Sequence, residues 1–274
     1  MTAPEVLLVD NGSLAPAATL RLRRLAAALA GRIGRPVAPV SLLHADKVPP
    51  DQLGGLAAET FAPALERRAV QGNAGCVVVP LFFGPTAALT EFVPGVVRRL
   101  RERRGRFDVR LAPPLFAEGD DRLARILADQ AAAAASGAQR VVLVDHGSPL
   151  RAVAAVRDRL ASRLAELLGD GFAVVAASME RRPEPEFDFS GPLLAEVLGR
   201  PEWNTGDVVV ARQFLLPGRH AGPGGDVERI CRDAEMEGRG RRIRLTPLVG
   251  EHPRLIEILA DRWREGLKGA PIQD

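Results

Sequence analysis

The chain has 274 residues, 46% of them hydrophobic and 26% charged, enough for one large domain or two ordinary ones with their own cores. A mean hydropathy of zero, with no long uncharged apolar run, excludes a membrane span. The first residues carry no basic lead or cleavage pattern, so the cytoplasm is the expected location. The two cysteines, Cys76 and Cys231, lie far apart and exclude an iron–sulfur cluster, a structural zinc site and a disulfide scaffold. Net charge is +3, and Lys47 and Lys268 are the only lysines, so 35 of the 37 basic residues are arginine. Arginine suits carboxylate ligands, but these charges are dispersed among acids, so nucleic acid is not an expected partner.

Taken in chain order, β-branched runs predict strands near residues 5–10, 37–42, 75–81 and 108–112, and again near 140–145, 172–178, 207–213 and 242–246. Apolar residues at helical spacing fill 18–30 and 153–168. The second series repeats the first. Val6-Leu7-Leu8-Val9-Asp10-Asn11-Gly12-Ser13 returns as Val141-Val142-Leu143-Val144-Asp145-His146-Gly147-Ser148, and three further matches follow in the same order at offsets of 131 to 135 residues. The chain is a duplication. Alternating strands and helices give each copy a four-stranded parallel sheet flanked by helices, an α/β architecture. The expected lobes are 1–136 and 138–274, with a cleft between them.

Ligands of an open parallel sheet bind outside the carboxyl ends of its strands. His146 follows the first strand of the second copy, where a strand-to-helix turn has no need of imidazole. Gly147 allows the turn, and Ser148 and Pro149 are expected at the N-cap and first position of the helix. His220 follows the third strand, in Phe214-Leu215-Leu216-Pro217-Gly218-Arg219-His220, so two of the four histidines stand at adjacent strand ends. Together they can share a divalent metal ion. Glu180, past the second strand, adds a carboxylate ligand or proton acceptor at the same rim. The segment Ala221–Asp226 is expected to be a loop able to flex over a ligand. In the first copy Asn11 replaces His146, His44 falls close to the Glu180 position and Glu91 lies near that of His220. His252 is expected to be a surface loop residue. No Gly-x-Gly-x-x-Gly, Walker or Gly-x-Ser-x-Gly pattern occurs, so nucleotide binding and a serine nucleophile gain no support.

His-Gly-Ser after the first strand, Met179-Glu180 after the second and Phe-Leu-Leu-Pro-Gly-Arg-His after the third make the chain resemble the sirohydrochlorin chelatases of CbiX/SirB type, among the class II tetrapyrrole chelatases. The first half departs from the pattern at Asn11 and Thr86–Glu91. The resemblance implies insertion of Co²⁺ or Fe²⁺ into an acidic tetrapyrrole for cobalamin or sirohaem synthesis. The metal is then a substrate, and no organic cofactor is needed. His146, His220 and Glu180 are the expected catalytic residues, with the two histidines on the metal. Ser148, Arg219, Asn11 and Glu91 are the expected substrate contacts. The alternatives are a non-catalytic tetrapyrrole or metal carrier, or partner subunit, of the same pathway and, outside it, an unrelated α/β hydrolase or transferase. The sequence leaves the oligomeric state open.

Overall fold

A computed structural model describes residues 4–73 and 75–273. The first sheet comprises β1 (Glu5–Asp10), β2 (Val37–Ser41), β3 (Gly75–Pro80) and β4 (Asp108–Leu111), interleaved with α1 (Pro16–Ile33), α2 (Phe61–Val70) and α3 (Val93–Arg104). After α4 (Arg122–Ala135) the plan repeats: β5 (Arg140–Asp145), α5 (Arg151–Leu168), β6 (Ala173–Ser178), α6 (Leu194–Gly199), β7 (Thr205–Arg212), α7 (Asp226–Glu237), β8 (Arg239–Leu245) and α8 (Leu255–Lys268). All eight expected strands form, in two four-stranded sheets of order β2-β1-β3-β4 and β6-β5-β7-β8. Every pairing is parallel. No helix among the described residues is long and apolar enough to cross a membrane.

Parallel sheets covered on both faces call for unbroken apolar strands. Val141–Val144 and Val208–Ala211 supply them, each residue fully buried. The alternating side-chain period of a strand then splits each core in two. In the second sheet Val142, Val144, Val208 and Val210 pack with Leu194, Val197 and Leu198 of α6 and Val227, Cys231 and Ala234 of α7. The opposite face is covered by α5 and α4, which pack on each other. In the first sheet Leu7, Val9, Cys76 and Val78 pack with α2 and α3. On the other face of that sheet α8 approaches so closely that a Cβ on Gly266 would lie 3.0 Å from Val77 and 2.8 Å from Ala112.

The compact units do not follow the order of the repeats. One unit comprises residues 1–117 and 256–274, the other residues 118–255. Each repeat ends in a helix that the other repeat's sheet takes up: α4 joins the second sheet and α8 the first.

The turns after β1 and β5 depart from the expected capping. Ser148 is not the N-cap of α5, and Pro149 is not its first residue; Leu150 caps the helix and Arg151 begins it. An N-cap residue commits its carbonyl to the first helical hydrogen bond; the Ser148 carbonyl lies outside the helix. Here it accepts instead from Ser190 Oγ at 2.8 Å. The Ser148 hydroxyl closes a local turn by accepting from Leu150 N–H at 3.1 Å. Ser13 and Ala15 repeat that turn in the first copy.

Candidate functional site

Strand order decides where the chemistry gathers. The second strand of each repeat lies on one side of the first strand and the third strand on the other, so the crevice of the second sheet opens at the carboxyl ends of β5 and β7. His146 leaves β5 there and His220 follows β7. Their ring centroids lie 4.6 Å apart with an interplanar angle of 79°. Glu180, two residues past β6, brings Oε1 within 3.5 Å of His146 Nε2.

The close approach depends on Gly147. Its φ is +93°, and a Cβ there would sit 1.9 Å from the Glu180 carbonyl oxygen. Glu180 N–H donates to the His146 carbonyl at 3.1 Å, and Met179 N–H to the Asp145 carbonyl at 2.8 Å. Two strand exits are thereby tied together, with Met179 turned into the core and Glu180 outward.

His220 stands on a folded turn rather than a free loop. Gly222 N–H donates to the Gly218 carbonyl at 2.8 Å, Gly225 N–H to Gly222 at 2.9 Å and Val227 N–H to His220 at 3.0 Å. Arg212 pins the turn from below, donating to the Ala221 carbonyl at 3.0 Å and the Thr246 carbonyl at 2.6 Å. The expected flexible segment is therefore tightly bonded within itself. His220 Nδ1 faces Asp226 Oδ2 at 2.6 Å. Partial burial holds its pKa below the ordinary value, reinforced by the neighbouring His146 and Arg219 and opposed by Glu180. His146 is more exposed, and its Nδ1 lies 3.1 Å from the Gly147 carbonyl.

Beneath this rim lies a buried network that sequence reading missed. Arg157, 1% exposed on the core side of α5, donates to Ser178 Oγ at 2.6 Å and the Ser190 carbonyl at 2.5 Å, and lies 3.5 Å from Asp145 Oδ1. Asp145 also accepts from Gly147 N–H at 3.0 Å, so the ion pair holds the turn that carries His146. Burial still raises the Asp145 pKa, with Arg157 opposing. The available signal was an arginine at a helical position where the first repeat has Leu22.

Of the expected substrate contacts, Ser148 is engaged in its turn and Arg219 extends into solvent with Nε 3.9 Å from Asp226 Oδ2. Asn11 and Glu91 belong to the first unit, where both are exposed, Asn11 directly after β1 and Glu91 in the helical turn Ala88–Phe92 that leads into α3. The first unit repeats the backbone of the turn without its chemistry. Gly12 has φ +89° and faces the Leu43 carbonyl, whose N–H donates to the Asn11 carbonyl at 3.2 Å. Leu43, not His44, therefore occupies the position of Glu180. His252 is not an idle surface residue either: its Nδ1 accepts from Arg254 N–H at 3.2 Å, and Nε2 lies 3.6 Å from Asp129 Oδ2. Among the described residues, no group of three or more His, Cys, Asp or Glu side chains is disposed to hold a metal ion.

A duplicated pair of four-stranded parallel sheets, with two histidines at the switch point of one of them, defines a protein of chelatase-like fold. Residues 140–266 match the CbiX family model. The CbiX/SirB-type fold runs through the whole chain. SirB from Bacillus subtilis with Fe³⁺ superposes with a TM-score of 0.73 at 18% identity, covering 97% of this chain and 96% of that one. The cobalt complex of the sirohydrochlorin chelatase SirB from Bacillus subtilis subspecies spizizenii gives 0.69 at 18% identity, over 99% and 100%. CbiX, described as the terminal enzyme of siroheme biosynthesis in denitrifying bacteria, gives 0.62 at 22% identity, over 95% and 98%. No curated protein matches the chain in sequence.

Proposed function

We propose that this protein is a sirohydrochlorin chelatase, a lyase that inserts Co²⁺ or Fe²⁺ into the macrocycle and so serves cobalamin or sirohaem synthesis. The observation that carries the reading is the 4.6 Å separation of the His146 and His220 rings at the edge of one sheet, with Glu180 beside them. Imidazoles bind borderline divalent ions, and two of them leave coordination positions for the pyrrole nitrogens that must replace them. As the metal enters, two pyrrole N–H protons leave. A neutral imidazole accepts one, and the Glu180 carboxylate, 3.5 Å from His146 Nε2, takes the other. The metal is a substrate and no organic cofactor takes part. The Arg219 guanidinium meets a macrocycle carboxylate, and Ser148 retains its O–H to donate to another. The cobalt and Fe³⁺ complexes of the two SirB structures of the same fold agree with this reading.

The second reading is a carrier that binds tetrapyrrole or metal without inserting it. It is favoured by the first unit, where Asn11 and Leu43 stand in place of His146 and Glu180. Ultraviolet–visible spectra of sirohydrochlorin mixed with the protein and each metal decide between them. A chelatase converts the free-base spectrum to the metallated one faster than the uncatalysed reaction. Binding of sirohydrochlorin with no acceleration for either metal from about pH 6 to 9, where imidazole is largely neutral, leaves the carrier.

A further inference from the structure

We infer, building on the chelatase reading of this rim, that Asp226 is a positioning residue: it fixes the His220 tautomer so that Nε2 is the bare nitrogen offered to a divalent cation. Asp226 Oδ2 lies 2.6 Å from His220 Nδ1. A carboxylate at that distance accepts, so Nδ1 carries the hydrogen, and in the neutral ring Nε2 has the lone pair. Three features hold the Asp226 carboxylate in a fixed place. It is the first residue of α7, where the helix dipole favours negative charge. Arg229, one turn further on, pairs with its Oδ1. Arg219 Nε stands 3.9 Å from Oδ2.

The backbone makes the same connection. Val227 N–H, next to Asp226, donates to the His220 carbonyl at 3.0 Å, so imidazole and carboxylate are joined through both main chain and side chain. Histidine free in water favours hydrogen on Nε2, which would present the wrong nitrogen. His146 reaches the same outcome with a weaker acceptor, the Gly147 carbonyl 3.1 Å from its Nδ1. Asp226 thus gives His220 the carboxylate–imidazole backing that orients ligands and strengthens their basicity at metal sites.

The test reads the tautomer directly, by long-range ¹H–¹⁵N spectra of the histidine rings in the full-length, ¹⁵N-labelled protein at neutral pH. The expected wild-type result is hydrogen on Nδ1 of His220 and none on Nε2. Asp226→Ala shifts the population toward Nε2–H, and Co²⁺ affinity falls about 10- to 100-fold; Asp226→Glu restores both in part. The near-isosteric Asp226→Leu, which keeps the side-chain volume at the helix start but has no acceptor, also departs from the pure Nδ1–H form and decides the matter if the alanine variant does not fold. Hydrogen on Nε2 in the wild type, or an unchanged tautomer in a folded Asp226→Leu, overturns the inference. A wild type that shows the expected tautomer but inserts no metal instead overturns the chelatase reading and leaves the positioning role standing.

Discussion

Asp10 and Asp145 end the first strand of their sheets with the same buried carboxyl, yet their surroundings differ. Asp145 has Arg157; at the matching position of α1 stands Leu22, buried on the core side. Asp10 keeps an oxygen, Oδ1, without a hydrogen-bond partner, and burial pushes its pKa up to about 6 from 3.8. A raised carboxyl contributes stability that is full below pH 4 and lost as pH rises through about 6. Asp10→Asn is therefore expected to stabilise the protein at pH 7.5 by up to ~3 kcal/mol, at about 1.4 kcal/mol per unit. The advantage vanishes near pH 4; urea unfolding of parent and variant across that range measures it. In the second unit the outcome is reversed. Arg157→Leu, which copies Leu22, strands Asp145 as a buried unpaired charge and costs about 3–5 kcal/mol. Adding Asp145→Asn to that variant recovers part of the loss, since it removes the stranded charge. At the rim itself, the proposed chelatase function predicts that His146→Ala or His220→Ala lowers metal insertion far more than sirohydrochlorin binding, while Asn11→Ala changes insertion little. Equal losses of insertion from all three would refute the assignment of the metal to the second unit.

At the scale of the element, the strand-to-helix turn is the part both repeats retain. Gly147 and Gly12 share a left-handed conformation and the same close approach to a carbonyl, of Glu180 in one case and Leu43 in the other. Alanine at either position costs about 1–2 kcal/mol for the backbone alone, and the facing carbonyl must also move. The two substitutions are therefore matched in stability and differ in chemistry. Gly147→Ala displaces Glu180 from His146 and is expected to abolish Co²⁺ binding measured by calorimetry. Gly12→Ala displaces only a leucine and leaves that binding intact. A Gly12→Ala variant that lost Co²⁺ as fully as Gly147→Ala would show that the first turn also serves the metal.

For the whole molecule, the exchange of closing helices makes each repeat depend on the other's last element. The α8 helix covers the Val77 face of the first sheet, anchored by Arg262 donating to the Pro114 and Leu115 carbonyls at 2.9 and 3.0 Å and by Arg32 bonded to Glu257 at 2.7 Å. A chain ending at Arg254 uncovers that face. Its first sheet, β1 to β4, is expected to lose amide protection in hydrogen exchange, while β5 to β8 stay protected, because α4 and α5 remain in place. Loss of protection in the second sheet instead would show that α8 serves its own repeat, and loss in neither would show that the first sheet does not depend on it.

By itself the sequence determined the duplication, the eight strands and the pairing of His146 with His220. These follow from local periodicity, from self-similarity along the chain and from the rule that chemistry gathers at strand ends. Tertiary structure alone decided the rest. The start of α5 lies past Ser148, whose carbonyl goes to Ser190, 42 residues away, and α1 likewise starts past Ser13. Leu43 rather than His44 matches Glu180 because strand exits are aligned by hydrogen bonds and not by counting. Asp226 emerged as the partner of His220 because a folded turn returns the first residue of α7 to the imidazole. The closing helices changed sheets because an amphipathic helix specifies that its apolar face be buried, and does not specify which sheet buries it.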